Sequence, residues 1–164
     1  MAAPSMDPVD LATFLAAHGY TAVPLTVNAV GHFELAAEVN GRPARLLLDT
    51  GASHTIFATP SAQRLGLQTA PSTERAGGVG TSDHATETTI IDELRLGGVR
   101  LQRVAAWTFD LDHVNRALAN QGGAPVDGAL GGDLLRPAEA VIDYARAMLY
   151  LRPAAPSARS PDVA

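Results

Sequence analysis

The stretch Leu46-Leu47-Leu48-Asp49-Thr50-Gly51-Ala52-Ser53 constrains this chain more than any other. Three aliphatic residues with the character of a buried strand run directly into a carboxylate, and a Thr-Gly turn follows at once. An ionised carboxylate in that position is costly unless it is hydrogen-bonded or shares its charge with a partner. A local conflict of this kind is what functional sites show. The plainer reading is a strand that ends in an Asx-type turn, where Asp49 and Gly51 only make the bend.

The rest of the pattern is mostly short strands separated by glycine turns. A helix is expected over 10–19, with Asp7 or Asp10 at its start, Leu11, Phe14 and Leu15 as its apolar stripe and Gly19 at its end. Strands are expected at Val23–Val30, His32–Val39 and Arg42–Leu48, and Asn40-Gly41 between the last two signals a two-residue hairpin. A short strand at 55–57 leads into a helical turn over 60–65, closed by Gly66. The glycine-rich run 76–81 precedes an alternating strand at 86–91. Residues 93–96, Gly97-Gly98 and 99–109 read as a further hairpin. Asp112–Ala119 is helical, with Asp110 or Asp112 as cap, and Val126–Leu130 is a strand. Gly131-Gly132-Asp133 is a turn before a short helix starting at Leu134, and two last strands fall at 141–144 and 148–151. Many short strands with few helices predict an all-β, barrel-like domain. The expected organisation is an N-terminal segment with a short helix (1–22), one domain (23–152) and a disordered tail rich in Ala, Pro and Ser (153–164).

Composition narrows the function classes. Apolar residues make up 46% of the chain and aromatics only 5%, so the core must be built from Val, Leu, Ile and Ala. A net charge of -5 without any basic cluster argues against nucleic acid as a partner. The absence of cysteine removes disulfides, thiolate metal sites and cysteine nucleophiles. No apolar run reaches the roughly 20 residues that span a bilayer, so no membrane insertion is expected. Met1–Asp10 lacks the basic and apolar regions of a signal peptide, and the absence of cysteine suits cytoplasm and periplasm alike, so both stay open as compartments.

The apolar run, Asp49-Thr50-Gly51 and the following Ala-Ser resemble the Asp-Thr-Gly motif of aspartic proteases. Further along, Gly77–Gly80 and then Asp127-Gly128-Ala129-Leu130-Gly131-Gly132-Asp133-Leu134-Leu135 are similar, in order and spacing, to the later motifs of single-domain, retroviral-type enzymes and of bacterial retropepsin-like proteins. The resemblance spans about residues 25 to 152 and leaves out the helix at 112–119, which looks like an insertion. It implies a closed β-barrel of one lobe, and an aspartic endopeptidase acting on peptide or protein substrates without any cofactor. Asp-Thr-Gly occurs once, so the resemblance implies a homodimer in which Asp49 of each chain forms a catalytic dyad. Thr50 would hydrogen-bond across the dimer axis and Gly51 would let substrate backbone approach. Ala52 and Ser53 would line the substrate, with Ser53 standing where retroviral enzymes carry Asp. Gly78, Val79 and Gly80 would form the tip of a flap. Gly132 stands where those enzymes carry Arg, which removes a charged brace.

Other residues have plainer roles. His18, His32, His54, His84 and His113 lack metal-ligand spacing. Ser53 and His54 are adjacent on an extended segment and point to opposite faces, which disfavours a nucleophile pair. Asp133 is expected to cap the helix at Leu134, Asp127 to form a turn, and Trp107 to pack. Gly77–Gly80 lacks the Lys-Ser/Thr and the helix of a phosphate loop. The competing function is a non-proteolytic peptide-binding or dimerisation module on the same fold.

Overall fold

The structure, a computed structural model, describes residues 10–72 and 86–153. The expected flap tip, Gly78, Val79 and Gly80, and the tail beyond Pro153 lie outside the described residues.

The chain opens with α1 (Leu11–Ala17), in which the Asp10 side chain caps by accepting from the Thr13 N–H. Gly19, at φ +82°, turns the chain out of it. The expected first strand is in fact two. β1 (Thr21–Pro24) and β2 (Thr26–Val27) belong to different sheets. The chain does not stay extended to Val30, because the Asn28 side chain accepts from the Val30 and His32 N–H groups and closes a turn.

β3 (Phe33–Val39) and β4 (Arg42–Leu48) form the expected hairpin. Asn40 and Gly41 both have positive φ, 48° and 79°, as a type I′ turn requires. Then come β5 (Ile56–Ala58), α2 (Thr59–Arg64), β6 (Thr69–Pro71), β7 (Glu87–Leu96), β8 (Val99–Phe109), α3 (Asp112–Asn120), β9 (Gly128–Leu130), α4 (Gly132–Leu135), β10 (Val141–Asp143) and β11 (Met148–Leu151). The two runs expected at 86–91 and 93–96 are the single strand β7.

One sheet runs β2-β3-β4-β9-β5-β8-β7-β6, and β3 also pairs with β7. That second pairing joins β3, β4, β9, β5, β8 and β7 into a closed six-stranded barrel, with β2 and β6 as outliers. A separate three-stranded sheet runs β1-β11-β10. The barrel interior is aliphatic, as composition required: Leu35, Val39, Leu46, Leu94, Leu96 and Leu130 are fully buried around Phe57. Among the described residues no buried side-chain polar atom is left without a hydrogen bond.

β7 and β8 change face in mid-strand. Leu94 and Leu96 of β7 point inward, and so do Ile91 and Thr89, three residues back in phase. β8 makes the same switch between Leu101 and Val104. The ladder is interrupted there at Asp92 and Arg103, and Arg103 takes φ +52°. Both strands thereby turn a barrel corner while still burying one apolar set. Among the described residues, no helix is long and apolar enough to cross a membrane.

Candidate active site

β4 lies between β3 and β9, antiparallel to the first and parallel to the second. Leu46, Leu47 and Leu48 register with Gly128, Ala129 and Leu130, and the Asp49 N–H donates to the Leu130 carbonyl at 3.1 Å. The barrel wall thus fixes the backbone of Asp49 to the last residue at which it is still a strand. Beyond it the chain turns. Asp49 Oδ1 accepts from the Gly51 N–H at 3.0 Å and from the Ala52 N–H at 3.2 Å. The carboxylate is therefore held by its own loop and is exposed, as are Thr50, Gly51 and Ser53. The Asx-type bend of the plainer reading is present, and it leaves Oδ2 without a hydrogen bond among the described residues. A Cβ on Gly51 would stand 3.3 Å from Asp49 Oδ1, tight against the same carboxylate.

The far side of the loop is braced by α4. Ala52 O accepts from the Gly132 N–H at 2.8 Å, and Ser53 O from the Asp133 N–H at 3.1 Å. Gly131 passes so close that an added Cβ would lie 2.4 Å from the His54 carbonyl oxygen, and Gly128 meets the Ile56 carbonyl at 2.2 Å in the same way. Both positions admit only hydrogen on the α-carbon. Gly132 brings no side chain to this region, which is braced by these backbone bonds.

Asp133 does more than its expected role. α4 begins at Gly132 with Gly131 as its N-cap residue, and Asp133 Oδ1 accepts from the Leu134 N–H at 3.0 Å. The Asp133 carboxylate also reaches back 78 residues, accepting from the Thr55 N–H at 2.9 Å and the Thr55 hydroxyl at 2.8 Å. Thr55, fully buried, also accepts from the Gly131 N–H at 3.1 Å. These bonds weld the exit of the Asp49 loop to α4. Asp127 is likewise more than a turn former. It accepts from the Arg45 N–H at 2.9 Å, the Ser61 hydroxyl at 2.7 Å and Arg64 at 2.7 Å. Burial pushes its carboxyl up, but these bonds outweigh burial and hold it below the ordinary carboxylate range.

Asp49 and Thr50 line a cleft of about 320 Å³ with Phe33, Leu47, Leu48, Ile142 and Tyr144. The Phe33 and Tyr144 rings meet at 5.0 Å. α3 contributes Val114 to the same cleft. Its N-cap position is Leu111, and Asp110 accepts from the Asp112 N–H ahead of it. His54 points away, stacked on Trp107 at 4.2 Å, so it makes no pair with Ser53. Among the described residues no cluster of His, Asp and Glu could hold a metal. Sequence reasoning missed Thr55, Phe33, Val114 and Tyr144. A buried threonine just before a strand was the one available signal, for Thr55.

The family model for aspartyl proteases matches residues 35–134, more than half of the chain. No curated protein matches. Among solved structures, the fold is similar to a retropepsin-like aspartic protease from Rickettsia conorii, at 22% identity and a TM-score of 0.55, covering 81% of this chain and 89% of that one. It is also similar to the EIAV protease in complex with the inhibitor HBY-793, at 21% identity and a TM-score of 0.51, covering 72% and 98%. These likenesses carry the fold, and the matched motif carries the family. The chain belongs to the aspartyl protease family, as an aspartic endopeptidase with a retropepsin-like fold.

Proposed function

We propose that the chain cleaves peptide bonds as a homodimer, with Asp49 of each copy forming the catalytic dyad. The observation that carries this reading is the exposed Asp49 carboxylate at the end of a barrel strand, held through Oδ1 by its own loop and open at Oδ2. Two such carboxylates a few ångströms apart do not both ionise, and hold one proton between them, as is established for aspartic proteases. The ionised member takes a proton from water, the water attacks the scissile carbonyl, and the protonated member stabilises the developing oxyanion. Neither a metal nor a covalent intermediate enters.

The rim of the site suits a second copy. Phe33, Leu48, Ile142 and Tyr144 surround Asp49 and Thr50 with apolar surface, and Tyr144 is 76% exposed. In this reading Thr50 bonds across the two-fold axis, Gly51 lets substrate backbone approach, and Ala52 and Ser53 line the substrate. Gly78, Val79 and Gly80 remain our candidates for the flap tip.

The test is digestion of a diverse peptide mixture from about pH 4 to 7, with and without a pepstatin-type inhibitor, read by mass spectrometry. Asp49→Asn is expected to keep the fold and to lower cleavage on the order of a thousandfold or more. Equal cleavage by Asp49→Asn would remove Asp49 from the mechanism. A stable monomer without activity would favour the peptide-binding module.

A further inference from the structure

The barrel leaves one long strand edge unused. β8 pairs with β7 along nearly its whole length, but on its other side it meets β5 only at Trp107–Phe109. The Trp107 N–H donates to the Thr55 carbonyl at 3.0 Å, which fixes the side to which that residue's backbone groups point. By the two-residue repeat of a strand, Ala105 presents its N–H and C=O to the same side. No strand continues there, and among the described residues nothing bonds this edge from 99 to 106.

A groove of about 780 Å³ follows the edge. It is lined by six consecutive residues of β8, 100 to 105. Inward-pointing Leu101 and Val104 line it together with outward-pointing Arg103 and Ala105. A groove lined by residues of both faces runs along a strand's edge and not across its surface. Its lining is apolar at Leu101, Trp107, Leu134 and Pro153 and includes one carboxylate, Asp133, which is already bonded to Thr55. Its rim carries positive charge on a chain whose net charge is -5. Arg95 and Arg100 share the single carboxylate of Glu93, at 2.6 and 3.1 Å, which leaves one positive charge over. Arg103 is exposed, takes a left-handed backbone conformation, and has no carboxylate partner among the described residues. A non-glycine residue held at φ +52° inside a strand is the kind of strain that redirects a side chain at a functional surface.

We propose that this edge is a second peptide-docking site. It takes an extended, acidic polypeptide segment as an added strand, with backbone bonds to Ala105, carboxylates at Arg103 and Arg100, and apolar side chains on Leu101 and Trp107. His54 also lines the groove and follows Ser53 directly in sequence, so a segment held here sits beside the Asp49 loop. The docking chemistry is independent of Asp49. Only its use, to hold a substrate near the dyad, rests on the protease reading.

The test uses the full chain carrying Asp49→Asn, so that a probe is bound and not cut. The probe is a fluorescein-labelled heptapeptide of alternating glutamate and valine, followed by fluorescence anisotropy at low salt, against the same peptide with lysine for glutamate. The acidic probe is expected to bind and the lysine probe not to. Arg103→Glu is expected to weaken binding roughly tenfold or more, since it reverses a charge on the exposed rim. Ala105→Pro removes the edge N–H and is expected to weaken it similarly, with circular dichroism checking that both variants fold. Equal binding of the two probes, unchanged binding in a folded Arg103→Glu, or no binding up to about 1 mM would overturn the proposal. Displacement of the probe by a pepstatin-type inhibitor would also overturn it, by placing the probe in the catalytic cleft, and would leave the protease reading standing.

Discussion

Asp49 and Asp133 are both aspartates beside short apolar runs, yet the sequence carries different signals for them. Asp49 announces itself because the three leucines before it predict a buried strand, and a carboxylate at the end of one is in conflict with its surroundings. Asp133 precedes Leu134-Leu135 and fits the local pattern of a helix cap. It does accept from the Leu134 N–H, but its further partner, Thr55, is 78 residues away, and nothing within a few residues of either position encodes that pairing. What the pairing does is hold the exit of the Asp49 loop. Asp133→Ala leaves the Thr55 N–H and hydroxyl without an acceptor in a buried place, and each such loss costs about 1–3 kcal/mol. Urea unfolding is expected to show a destabilisation of about 2–4 kcal/mol, with cleavage falling as well because the loop loses its brace. Asp133→Asn, which keeps one acceptor oxygen, is expected to fall between the parent and Ala. A stability equal to the parent's in Asp133→Ala would mean that α4 is held to the loop by the backbone bonds alone.

Elements were legible where local chemistry decides them. Asn40-Gly41 determines its own turn whatever surrounds it, so the β3–β4 hairpin was read correctly. The long run from Val23 was not, because β1 and β2 divide according to which distant strand each one meets, β11 or β3. The face switch in β7 and β8 did leave a trace, since Ile91 and Leu94, and Leu101 and Val104, are three apart where a strand needs two. Each half alternates well by itself, which masks the switch in the sequence. Asp127 shows how the elements are then joined. At the entry to β9 it takes hydrogen bonds from β4 and from α2, and these hold its carboxyl below the ordinary range although burial alone would raise it. A group whose pKa is lowered on folding stabilises the protein above the pKa of the unfolded chain. That contribution is lost as the pH falls through the lowered folded value. The melting temperature of the parent is therefore expected to exceed that of Asp127→Asn by a full margin above about pH 4, and the margin to shrink at lower pH. A margin that stays flat from about pH 7 to pH 2.5 would show that the clamp does not depend on the charge.

At the scale of the whole molecule, the closed barrel explains why a chain with so few aromatics can hold a rigid loop. Six strands bury a continuous aliphatic interior, and β4 brings Asp49 to its rim. Sequence alone foresaw a closed barrel only through resemblance, because closure depends on the β3–β7 contact, a pairing of two residues with two. What the barrel leaves outside is the apolar surface around Asp49. Tyr144, at the turn after β10, is large, 76% exposed and stacked on Phe33. An aromatic of this kind is a natural anchor for an interface, where it stabilises through burial that a lone chain does not provide. Tyr144 contributes little to the fold of a single chain, so Tyr144→Glu is expected to leave circular dichroism and the unfolding midpoint of the monomer nearly unchanged. Two such glutamates would face each other across the two-fold axis in an apolar contact, and desolvation and repulsion would both oppose the dimer. Light scattering after size exclusion is expected to show a dimer for the parent at micromolar concentration and a monomer for Tyr144→Glu. Cleavage should fall with the dimer, and in the parent the specific activity should rise with protein concentration until the dimer saturates. If the Tyr144→Glu chain is monomeric and cleaves as fast as the parent, a single Asp49 suffices and the dyad is wrong. If it remains a dimer and loses nothing, the two copies meet through some other face.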